Sequence, residues 1–177
     1  MIEQQKRELI DELSHWASER LAFRPTSNEW SALQMVDHLI RTEREILLVT
    51  YSNEHQLHRI GLIDHLRTRF LEGLFRSDRK VKVPSTASVV LPGIDVQLPI
   101  LTAEWLEVRA KLAQNVDRLL AGPHGMALFH HPVGGWMSMQ AVLNFLSVHL
   151  VHHRFQLQRL RAASVHLQPL DVSPFSQ

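Results

Sequence analysis

The chain has no cysteine. Disulfides, iron–sulfur clusters, thiolate zinc sites and a cysteine nucleophile are therefore excluded, and a reducing compartment suits it. It also lacks an excess of either charge: 19 Lys and Arg stand against 18 Asp and Glu, a formal net charge of +1. Such a balance gives no electrostatic case for nucleic acid as a partner. Long apolar runs are missing too. The most apolar stretch, residues 83–101, is interrupted by Pro84, Pro92, Asp95 and Pro99, so it cannot cross a bilayer as a helix. The opening MIEQQKRELIDELSHW carries charge throughout and shows no apolar core of a secretory signal. The expectation is a cytoplasmic protein with no membrane partner. No Gly-rich phosphate loop and no G-x-S-x-G elbow occurs.

What is present in excess is histidine, at 12 of 177 residues. Spacing must decide what these residues do. The stretch from residue 136 to 161, WMSMQAVLNFLSVHLVHHRFQLQRLR, reads as one long amphipathic helix capped by Ser138. At about 100° per residue, Val142, Leu146, His149, His153, Gln156 and Leu160 fall within about 40° of one direction. His149 and His153 thus stand one turn apart on the face due for burial. Buried imidazoles need their ring nitrogens satisfied, either by side chains or by a metal ion. From the pair alone, both readings stand. Leu150 occupies the place of the glutamate in an H-E-x-x-H motif, so this is not that metalloprotease signature.

Other helices follow from the same periodicity. A first helix is expected from residue 2 to about 21, with Leu9, Leu13, Trp16 and Arg20 on one side. Trp30-Ser31-Ala32-Leu33-Gln34 has the form of a capping box with a hydrophobic staple from Trp30 to Met35, and opens a helix to about Tyr51. Residues 55–75 are helix-like, as one helix or two short ones with Gly61 and Gly73 near the ends. The basic run 76–82 and the proline-punctuated chain after it form the long, mobile connection. Thr102 is expected to cap another helix, carrying Trp105, Leu112, Val116, Leu119 and Leu120, which Gly122-Pro123 would end.

Two short connections and one long crossover between four main helices predict an all-α fold. The architecture is a four-helix bundle of up-down-down-up course, with a partly helical crossover between its second and third helices. Residues 1–165 would form one domain and 166–177 a tail. Apolar faces on bundle helices often pair, so a homodimer is expected.

His38 is the candidate for a third ligand. It shares a direction with Gln34, Thr42, Glu45 and Val49, a polar strip beside the apolar side formed by Met35, Leu39 and Ile46. The alternative is a half-buried histidine bonded to a neighbouring helix. Glu45 reads as solvent-facing sooner than as a ligand, and His152 as a residue of a helix seam. His131 could stand on the rim of a site, whereas His130 reads as surface. His15, His55, His58, His65, His124 and His166 have no convergent partners and read as exposed.

Trp30-Ser31, then Asp37-His38-Leu39, later His131-Pro132, Gly135 and Met137-Ser138, and finally His149, His152-His153-Arg154 and Gln156-Leu157 follow one another in a familiar order. In these residues the chain resembles the DinB/YfiT-like superfamily of metal-binding four-helix bundles, over nearly its whole length. It departs from a common pattern at Ala141, where an acidic residue often completes the helix start. The resemblance implies one divalent metal held by His38, His149 and His153 with open positions for water, and imidazole ligands suit zinc or nickel. It also implies an activity like those of thiol-dependent S-transferases, a maleylpyruvate isomerase or metal-dependent hydrolases, on a small molecule with a low-molecular-weight thiol as possible partner. No residue of this chain is marked as catalytic. The competing expectation is a non-catalytic metal-binding bundle that binds a partner or dimerises.

Overall fold

Two reciprocal hydrogen bonds start the helix that carries the first part of the site. Gln34 N–H donates to Ser31 Oγ at 3.2 Å, and Ser31 N–H donates to Gln34 Oε1 at 3.1 Å. This is the capping box that the sequence predicts, and it satisfies two donors that a helix start leaves free. Trp30 and Met35 belong to the same apolar cluster beside it. The computed structural model describes residues 2–52, 57–93, 97–120 and 126–167, and the side chains of all of these except 118–120 and 167. The readings of His55, His124, Gly122-Pro123, the side chains of Leu119 and Leu120, and residues 168–177 of the tail lie outside the described residues.

The described chain is mostly helical. In order come α1 (Ile2–Ser14), α2 (Ser18–Ala22), α3 (Ala32–Ser52), β1 (His58–Arg59), α4 (Leu62–Phe75), α5 (Leu98–Leu120), β2 (Met126–Ala127), β3 (Phe129–His131), β4 (Gly135–Met137) and α6 (Met139–Ala163). A 3₁₀ turn, Ser85–Val90, lies in the connection from α4 to α5, and another, Val165–Leu167, follows α6. The long crossover between α3 and α5 is therefore partly helical, as expected. No helix among the described residues is long and apolar enough to cross a membrane.

Three expectations need correction. The first helix does not run on to residue 21 but breaks after Ser14. Ser14 Oγ donates to the Asp11 carbonyl at 2.7 Å, and His15 Nδ1 lies 2.7 Å from the same oxygen. Side chains that take the last carbonyls offer the backbone an alternative to the next helical turn, and Ala17 is extended at φ −62°, ψ 151°. The second correction concerns α5, which starts at Leu98, with the Leu101 N–H already donating to the Gln97 carbonyl. Pro99 costs nothing in a first turn, where the N–H groups have no intrahelical partner. Thr102 lies inside the helix and donates its hydroxyl to the Leu98 carbonyl at 2.8 Å instead of capping. Third, the segment before α6 holds strands, and Trp136 belongs to β4. The helix begins at Met139, with Ser138 Oγ accepting from the Ala141 N–H at 3.3 Å.

The strands form two small antiparallel pairs, β1 with β2 and β3 with β4. In the second pair Phe129 faces Met137, His130 faces Trp136 and His131 faces Gly135. This hairpin is bolted to α4. Asp64 Oδ2 accepts from the Gly61 N–H at 3.0 Å, and Oδ1 from the Trp136 N–H at 3.1 Å. Thr68 Oγ1 donates to the Gly134 carbonyl at 3.0 Å. Gly135 makes the approach possible: its φ is +72°, and a Cβ there would stand 2.5 Å from Asp64 Oδ1.

Two apolar clusters fill the interior. The first takes Leu9 and Leu13 from α1, Val36 and Ile40 from α3, Leu101 and Trp105 from α5, and Leu150 and Leu157 from α6. The second gathers Ile46, Leu71, Phe75, Phe129, Val142, Phe145 and Leu146. On α6 the change from one cluster to the other falls at His149, between Val148 and Leu150, and on α3 it falls between Ile40 and Ile46, just past His38. A buried ion pair crosses between α3 and α5: Arg109 donates from Nε and Nη2 to the two carboxylate oxygens of Glu43, and from Nη1 to Glu3 at 3.2 Å.

Candidate metal centre

His38 sits two turns into α3, facing α6, and is buried. Its Nδ1 lies 2.7 Å from the Val90 carbonyl, at the end of the 3₁₀ turn in the long connection. A carbonyl can only accept, so Nδ1 carries the proton and Nε2 presents a lone pair. The same connection is held to α3 by Asp37, whose Oδ2 accepts from the Gly93 N–H at 2.6 Å and from Arg41 Nε at 2.9 Å. His153 is fixed in the same sense. Its Nδ1 is 2.9 Å from Gln156 Oε1, whose amide nitrogen in turn lies 3.2 Å from His152 Nε2. With the amide so oriented, Gln156 donates to His152 and accepts from His153, which leaves His153 Nε2 as a lone pair.

Both lone pairs aim at a third nitrogen. His149 Nε2 is 3.2 Å from His38 Nε2 and 3.0 Å from His153 Nε2. Neutral His149 has at most one proton to place between two acceptors, so three imidazoles alone cannot satisfy this arrangement. A divalent ion can. Ligand nitrogens about 2.0–2.1 Å from a tetrahedral ion stand about 3.3 Å apart, close to the spacings seen. One ligand atom from each of His38, His149 and His153 lies within 4.8 Å of the others, and all three residues are buried. The donor set fits a divalent metal on chemistry and on spacing.

Burial also sets the protonation. His38 is pushed down to about 4 by desolvation, which outweighs the support of the Val90 carbonyl and of Asp37. His149 and His153 fall well below the ordinary histidine range, again by burial first, and then by the charge of neighbouring imidazoles, His153 and His38 for His149 and His38 for His153. Near neutral pH the three rings are therefore uncharged, the form that ligates. Aromatic walls hold them in place. Phe75 and Phe145 stack on His149 at 5.3 and 5.2 Å between centroids, and Trp30 lies 4.8 Å from His38 and 6.3 Å from His153.

Above the cluster opens a cavity of about 210 Å³. Glu45 is half-buried on its wall, outside the three-histidine group. His152 is buried, stacks on Phe75 at 5.0 Å and bonds the amide that steadies His153. It is thus both a seam residue and a support of the site. His131 and His130 both reach the cavity lining, and His130 is exposed and packs edge-on against Trp136. His15, His58, His65 and His166 are exposed, as expected. Sequence reasoning missed the Val90 carbonyl and the bracing part of Gln156. The latter had a signal, since it stands three residues after His153 on the same helical face.

A mostly helical protein with a buried triad of histidines under a cavity is the class that fold and site define. The family follows from the sequence as a whole: residues 1–157 match the family model of the DinB superfamily, and the chain belongs to that superfamily. Among curated proteins and among solved structures, nothing matches.

Proposed function

We propose that this chain is a metal-dependent enzyme of the DinB superfamily, holding one divalent ion, zinc or nickel, on His38, His149 and His153 and acting on a small molecule in the cavity above them. The observation that carries the reading is the convergence of three Nε2 atoms at the floor of a space of about 210 Å³. A centre that merely braced the fold or a dimer would need no such space. A bound divalent ion supplies Lewis acidity, with positions open to water or a thiolate. Imidazole suits both zinc and nickel.

The chain's own residues prepare that chemistry. Burial keeps the imidazoles neutral, and the Val90 carbonyl and Gln156 turn their lone pairs inward. Phe75, Phe145 and Trp30 exclude water from the side of the rings they cover. The reaction class is transfer involving a low-molecular-weight thiol, or hydrolysis. With this goes an up-down-down-up bundle of α1, α3, α5 and α6 in a single domain of residues 1–165, a homodimer, and a cytoplasmic setting. All four of those helices feed the first apolar cluster, in support of the bundle.

Elemental analysis of protein purified without an affinity tag tests the reading. One divalent ion per chain is expected, lost in His38→Ala and His149→Ala together with any thiol-dependent turnover. Equal metal content in wild type and both variants would remove it.

A further inference from the structure

His131 is a cavity-lining imidazole that the metal reading leaves unused. It closes the hairpin from β3 to β4, and its Nδ1 accepts two main-chain N–H groups, from Val133 at 3.1 Å and Gly134 at 3.0 Å. An imidazole nitrogen that receives two donors has no proton of its own, so the proton of the neutral ring is on Nε2. The ring is held from the side as well, 4.9 Å from Phe145, which itself stacks on His149. Among the described residues Nε2 has no hydrogen-bond partner, yet it is not one of the sealed, unpartnered polar atoms of the interior. Burial pushes the group down to about 4, so it stays neutral and keeps this tautomer near neutral pH. A fixed donor therefore stands on the cavity wall with nothing of the chain's own to donate to.

The rest of the wall says what would receive it. Leu71, Val90, Phe129 and Phe145 supply apolar surface beside the charged Glu45 and Lys82, and the space of about 210 Å³ exceeds the ~150 Å³ of a cavity that holds benzene. We infer that His131 is a substrate-contacting residue whose Nε2–H donates to the acceptor group of a compact, mostly apolar molecule seated in the cavity over His38, His149 and His153. The assignment rests on the reading of that cavity as the substrate site, and it makes the substrate a compact, mostly apolar molecule of aromatic size that carries an acceptor group.

The probes are acetophenone and its isostere α-methylstyrene, which replaces the carbonyl oxygen by a methylene. Their affinities are measured by ligand-observed NMR for wild type, His131→Asn and His131→Gln, each zinc-loaded and zinc-free. Asparagine puts Oδ1 where Nδ1 accepted from the loop but removes the distal donor, so the hairpin keeps its bonds. Glutamine puts an amide N–H near the position of Nε2. The expected result is that the acetophenone-to-styrene affinity ratio drops about three- to tenfold in His131→Asn, the worth of one hydrogen bond, and stays near wild type in His131→Gln. An unchanged ratio in His131→Asn overturns the assignment, as does failure of either probe to bind wild type at millimolar concentration. The zinc-free arm separates the two readings. A ratio that still depends on residue 131 in protein unable to take up zinc supports the donor while the metal reading falls.

Discussion

At the scale of single residues, the protein is governed by where each imidazole keeps its proton. His38 gives its outer proton to a carbonyl, His153 gives its own to an amide, and His131 receives two N–H groups instead. Such choices were half legible. The i, i+4 spacing of His149 and His153 and the polar strip through His38 could be read from periodicity, because a helix turns local spacing into a shared face. The partner that orients His38 could not: in that bond Val90 contributes only its carbonyl, which carries no mark of side-chain identity. A consequence for acid stability follows. His131 and His38 are lowered to about 4 by burial, below the ordinary value near 6.5 that they regain on unfolding. The unfolded chain then binds more protons, so metal-free protein should keep its stability above about pH 6.5 and lose it as the pH falls toward about 4. Urea unfolding across that window should show a slope of up to ~1.4 kcal/mol per pH unit for each such ring, shallower in His131→Asn.

Among the elements, two helix starts with local signals stand where the sequence places them. The Ser31–Gln34 box and the Ser138 cap lie where their residues announce them, since each depends on neighbours three residues away. The start of α5 differs from the expectation because Thr102 has the chemistry of a cap but Pro99 already suits a first turn. Strands of two and three residues show no usable period, so neither pair is legible in the sequence. The hairpin that carries His131 depends on Gly135, whose backbone is left-handed and whose missing Cβ makes room for Asp64. Gly135→Ala should cost ~1–3 kcal/mol in urea unfolding, because both the conformation and the contact oppose a side chain. Asp64 is held below the usual carboxylate range by the Gly61 and Trp136 N–H groups, so it remains a charged acceptor at that joint.

For the molecule as a whole, the feature least visible in the sequence is the ion pair of Glu43 with Arg109. Nothing near either residue predicts the other, 66 positions away, and their meeting exists only once α3 and α5 are packed. Both side chains are buried, at 3% and 7% exposure. Removing one partner strands the other charge away from water. Arg109→Met should therefore destabilise by ~3–5 kcal/mol, whereas Arg109→Met with Glu43→Leu should recover most of the loss. Chemical denaturation of the two variants and of Glu43→Leu closes the cycle. Residue periodicity revealed which faces turn inward, but the pairing of charges across the interior waits on tertiary structure.

The anchoring of His38 by the Val90 carbonyl has an evolutionary side. A main-chain oxygen survives every amino-acid replacement at its own position, so the anchor is indifferent to drift in the identity of residue 90. What mutation can disturb is the path of the connecting segment, through insertions, deletions or loss of the Asp37 hold on Gly93. Divergence in this stretch should therefore be strict in length, with its composition constrained by the cavity wall and not by the anchor.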